Sequence, residues 1–98
     1  MAKLLIKTSD GKEYPCRITM GAMIRFKRLT GRDISEMDGS VDDMATLIYC
    51  ATASACAADG KKFEYTRDEF CDRLDSDEMT NFAANMQDGK ASKKKEGQ

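Results

Sequence analysis

The chain has 98 residues, 41% apolar and 34% charged, with a formal net charge of −1 and no histidine or tryptophan. That length suits one domain with a small core, and no apolar run approaches the ~20 residues needed to cross a bilayer. Without histidine, the usual catalytic triads and the commonest general base near neutral pH are excluded. The balance of charge is uneven. Residues 1–32 hold eight Lys and Arg against two acids, residues 33–88 hold four against fourteen, and residues 89–98 hold four lysines against Glu96. Such polarity suits head-to-tail self-association or a charged partner, or the halves neutralise one another within one fold.

In chain order, "KLLIKT" (3–8) and "KEYPCRI" (12–18) flank Asp10-Gly11, a strong hairpin signal. Pro15 places the second strand at an edge or at a bulge. Three apolar residues in a row near the start are too few for a secretory h-region. Thr19 is the expected N-cap of a helix over Met20–Thr30, with Gly31 ending it. One 3₁₀ turn is expected around Ile34–Met37. Ser40 with Asp43 forms a shortened capping box for a helix running to about Ala58, closed by Gly60. Val41, Met44, Ala45, Ile48, Ala51, Thr52 and Ala55 make one apolar stripe on it, and the other faces are nearly as apolar, so this helix is the expected central post. "KKFEYT" (61–66) is a candidate third short strand. Thr66 and Glu69 open a further helix to about Leu74, and Asp75 or Ser76 opens a last one ended by Gly89. These elements predict an α+β fold, a β-hairpin packed on a bundle of about four helices, with 1–89 as one domain and 90–98 as a flexible lysine-rich tail.

The four cysteines, Cys16, Cys50, Cys56 and Cys71, lack C-x-x-C spacing. Cys50 and Cys56 on one helix lie about 9 Å apart along its axis, beyond the roughly 4.4–6.8 Å of a disulfide. They are expected to be reduced, mostly buried thiols, with no metal site and no cofactor. Asp75, Asp77 and Glu78 lack the glycine and closing glutamate of a calcium loop and are expected to serve a helix N-terminus. No enzymatic activity is expected.

Two binding surfaces are candidates. Arg17, Arg25, Lys27, Arg28 and Arg32 could form a phosphate-binding patch, which would make this a small nucleic-acid-binding or regulatory protein using the basic helix around Arg25 to Arg32. No aromatics alternate with these cations and the next segment is acidic, which argues against nucleic acid. Alternatively, Met20, Met23, Phe26 and Met37 form an adaptable apolar groove for a helical partner, with Arg25 and Arg28 on its rim.

The order "ITMGAMIRFKRLTGRDI", an acidic loop, "VDDMATLIYCATASAC" and "YTRDEFCDRLDSDEMTNFAANM" resembles the small tail assembly chaperones of long-tailed bacteriophages and prophages. Matching positions are Thr19, Gly21, Ala22, Arg25, Phe26, Thr30, Gly31 and Asp33, then Leu47, Tyr49, Phe70 and Leu74, within about Ile18–Met86. Lys27 departs from the pattern, which often carries an acid there. The resemblance implies a non-enzymatic chaperone of the bacterial host cytoplasm. Its partner would be the long, helical tape measure protein, coated until tail tube subunits replace it.

Overall fold

The computed structural model describes residues 4–84. The expected tail, 90–98, and the expected helix stop at Gly89 lie outside the described residues. Strands β1 (Leu4–Lys7) and β2 (Glu13–Cys16) form an antiparallel pair in the register Leu4 to Cys16, Leu5 to Pro15, Ile6 to Tyr14 and Lys7 to Glu13. The connecting loop turns at Gly11, whose φ of +85° is open to glycine at no steric cost. Because side chains alternate along a strand, Ile6, Tyr14 and Cys16 are buried together while Leu5, Lys7 and Glu13 face out.

Three helices follow, α1 (Met20–Thr30), α2 (Val41–Asp59) and α3 (Arg67–Asp72), with one 3₁₀ turn at Ile34–Glu36 and a fourth helical segment, α4, over residues 76–84. The expected α+β architecture is the one observed. Helix α2 is the post: Leu47, Ile48, Cys50, Ala51, Ala55 and Cys56 are fully buried. Its small side chains let β2 approach closely enough for Arg17 N–H to donate to the Ala51 carbonyl at 3.4 Å. Val41 is a correction. Expected in the buried stripe, it is the first residue of α2 and is 71% exposed, because the stripe is covered only from Met44 onward.

The 61–66 segment is also a correction, since the sheet among the described residues has two strands. The alternation of Phe63 and Tyr65 with Lys62 and Glu64 buries rings without a ladder. Phe63 lies edge-on to Tyr14 at 5.3 Å between centroids and to Phe70 at 5.2 Å. The Tyr65 carbonyl accepts from the Tyr49 hydroxyl at 3.2 Å, so a side chain satisfies a group that a third strand would have paired. The Tyr65 hydroxyl donates to Asp10 at 2.6 Å, and Ser9 N–H donates to the Arg73 carbonyl at 2.8 Å. Hairpin loop and α3 are thereby tied together. The expected capping box of α3 forms in full, with Glu69 N–H on the Thr66 hydroxyl and Thr66 N–H on the Glu69 carboxylate.

Candidate functional site

Helix α1 carries five of the six residues that the sequence nominates for docking, so its anchoring decides what it can offer. At its N-terminus the Thr19 hydroxyl accepts from Ala22 N–H at 3.0 Å and also hydrogen-bonds Ser54 of α2. Here the helices are close: a Cβ on Gly21 would stand 2.7 Å from Ser54 Oγ and 2.9 Å from Arg25 Nη1. Ala22 and Phe26, four residues apart and so on one helical face, are completely buried. At the C-terminus Thr30 accepts from Arg32 N–H at 3.0 Å, and Gly31 adopts φ +79° with its N–H on the Lys27 carbonyl at 2.7 Å.

The chain leaving α1 is then locked by Arg32, whose guanidinium grips Asp43 of α2 through two bonds of 2.8 and 2.6 Å. The Asp43 side chain is 2% exposed and also accepts from Asp38 N–H at 3.2 Å. The guanidinium, more than any other neighbour, holds the Asp43 carboxyl well below the usual carboxylate range. This corrects the expected capping box at Ser40. Ser40 accepts from Asp43 N–H at 3.1 Å as foreseen, but the Asp43 carboxylate goes to Arg32, and Ser40 N–H is taken by Asp38 at 2.9 Å. With Thr19 bonded to Ser54 and Arg32 to Asp43, α1 runs antiparallel to α2.

Anchored on one face, α1 presents the other. Met20 is 71% exposed, Ile24 47% and Met23 41%, and Lys27 and Arg28 are exposed beside them. At about 100° per residue Met20, Ile24, Lys27 and Arg28 fall on the side opposite Ala22 and Phe26. Met23 lies on the flank, and Leu29, in the sector of Ala22 but in the last turn, is half exposed. The candidate groove is therefore divided. Met20, Met23 and Arg28 stand on the exposed face, and Arg25 is half-buried at its edge, over Gly21. Phe26 is core and cannot line a surface groove, because its ring fills the contact with α2 that holds the helix. Met37 follows the 3₁₀ turn and is packed partly buried against the core, apart from the helix face. Ile24 was missed, although the wheel drawn around Ala22 and Phe26 places it at the centre of the outer face.

The candidate phosphate-binding cations are dispersed. Arg17 grips Asp59 at 2.9 and 3.2 Å, Arg32 is committed to Asp43, and Lys27 lies 3.8 Å from Asp33. The thiols are weakly suited to nucleophilic chemistry. Burial pushes Cys16 and Cys50 each up to about 11, and raises Cys56 and Cys71 as well. All four are free, and among the described residues no three metal-ligating side chains cluster.

No protein-family model matches the chain, and neither a curated protein nor a solved structure matches it.

Proposed function

We propose that this protein is a non-enzymatic tail assembly chaperone that holds a phage or prophage tape measure protein in the bacterial host cytoplasm during tail morphogenesis. The support is the order of segments described above together with one structural observation, the exposed apolar face of α1. Met20, Met23 and Ile24 stand out from a helix whose position is fixed at both ends, with Lys27 and Arg28 beside them. A rigid helix face of this kind suits the apolar stripe of a partner helix. Methionine adapts to partners whose side chains vary along their length. The face is small, so a single contact is weak and displaceable, while many copies along one long partner give avidity.

The test is co-expression with a phage tape measure protein, followed by size-exclusion chromatography with light scattering. A soluble complex containing many copies of this chain is expected, with the partner insoluble alone. Met23→Asp, at a partly exposed position, is expected to weaken that complex without loss of fold. A protein that stays free while the partner precipitates overturns the reading.

A further inference from the structure

The outer face of α1 is not uniform along its length. Its apolar part comes first, with the exposed Met20 and Ile24 about 6 Å apart along the helix axis. Its cationic part follows. Lys27 and Arg28 are exposed in the last turn on the same side, about 5–6 Å beyond Ile24. The helix contains no acid.

Neither of these two cations is drawn inward. Lys27 meets Asp33 only at 3.8 Å, with both side chains more than half exposed. Arg28 has no ion-pair partner among the described residues. Arg17 and Arg32 differ, since their guanidinium forks are taken by Asp59 and Asp43. Lys27 and Arg28 also complement the carbonyl end of α1, a role that leaves their outward N–H groups available to a carboxylate. A second apolar surface sharpens the contrast. The groove between the first turns of α2 and α4 is lined by Val41, Met44, Met79 and Ala83, and none of its lining residues is charged. A purely apolar stripe would suit that groove as well as α1, whereas a stripe flanked by carboxylates suits α1.

We propose that α1 selects partner helices carrying a carboxylate one turn beyond a pair of apolar residues on the same face. The apolar pair packs on Met20 and Ile24, and the carboxylate reaches Lys27 and Arg28. This deepens the chaperone reading and rests on it for the partner being a helix. A polyanion fits the molecule less well. The stretch 33–88 holds fourteen acids against four cations, so it repels a phosphate polymer or an anionic bilayer, while a single carboxylate responds to the local field. Exposed ion pairs contribute little each, so charge here governs which helix docks, and in which register, more than how tightly.

Three helical peptides of about 20 residues, rich in Ala and Gln, test the proposal. Each carries two leucines one turn apart. The first has two glutamates one turn further along that face, the second has them on the opposite face, and the third has lysines in place of the first peptide's glutamates. Binding of each labelled peptide to the full chain is followed by fluorescence anisotropy. The first is expected to bind roughly three- to tenfold more tightly than the second, the scale of two exposed ion pairs, and the third most weakly. The preference should vanish at about 1 M salt. Lys27→Glu combined with Arg28→Glu should invert the order in favour of the third peptide, and Lys27→Gln combined with Arg28→Gln should erase it. Ile24→Asp should weaken binding of all three, and Val41→Asp of none, which separates α1 from the groove. Circular dichroism of the variants should match wild type, since all four positions are exposed. A wild-type chain indifferent to where the glutamates lie, a charge reversal that fails to invert the order, or anionic phospholipid vesicles bound as tightly as the first peptide overturns the proposal. Capture of the tape measure protein is read separately. Failure of capture with the peptide order intact would sink the chaperone reading alone, and capture without the peptide order would sink this proposal alone.

Discussion

The inner and outer faces of α1 are built from similar residues and have opposite fates. Ala22 and Phe26 are sealed against α2, while Met20, Met23 and Ile24 stand in solvent. Hydrophobicity does not separate these sets; direction does, and direction is set at the helix ends. The Thr19–Ser54 bond, the close approach at Gly21 and the Arg32–Asp43 grip fix which side of the helix meets the core. Residues on one side of that constraint stabilise the fold. Those on the other are available for association.

Breaking the inner face should have the largest effect. Phe26→Ala is expected to cost about 3–5 kcal/mol in denaturant unfolding, the range for emptying a buried aromatic site. The second effect is electrostatic. Because Arg32 depresses the Asp43 pKa in the folded state, this pair contributes fully above the unfolded carboxyl value of about 3.9, and its contribution is lost as pH falls through the folded value. Stability of the wild type should therefore drop on acidification below about pH 4. Asp43→Asn should lower stability at neutral pH and flatten that acid limb, as followed by urea midpoints across pH.

Gly21→Ala is expected to come third. Alanine favours a helix by up to about 1 kcal/mol over glycine, but overpacking against Ser54 costs about 1–3 kcal/mol, leaving a net loss near 1 kcal/mol. In a Ser54→Ala background the same substitution should cease to destabilise, a coupling that a double-mutant cycle measures. The smallest effect on stability sharpens the comparison most. Ile24→Asp should change unfolding free energy by no more than about 0.5 kcal/mol while weakening capture of a helical partner. A large loss of stability there would mean that the outer face is core after all.

The elements whose signals are local were legible from the amino acids. Thr19 and Gly31 bound α1, Thr66 and Glu69 open α3, and Asp10-Gly11 turns the hairpin, because each acts on backbone groups within a few residues. Side-chain allegiance was not legible. Asp43 stands where a capping residue belongs, yet its carboxylate is claimed by an arginine eleven positions back. Phe26 and Ile24 are both large and apolar on one helix, and only the position of α2 tells them apart. The 61–66 segment alternates like a strand, but the rings of Tyr14, Tyr49 and Phe70 supply its partners in place of a sheet edge. Of the candidate site, Met20, Met23 and Arg28 survive on an exposed face, and the groove of Val41 and Met79 had no signature because it belongs to two segments that only the fold brings together.

The aromatic cluster has a practical consequence for optical work. The chain has three tyrosines and no tryptophan, and all three tyrosines lie in contact with Phe63 on the hairpin and α3 side of the molecule. Intrinsic fluorescence and near-ultraviolet dichroism therefore report on one corner of the domain. Docking at the outer face of α1 would leave that signal nearly silent, whereas a single tryptophan introduced by Met23→Trp would watch the docking face alone against a dark background.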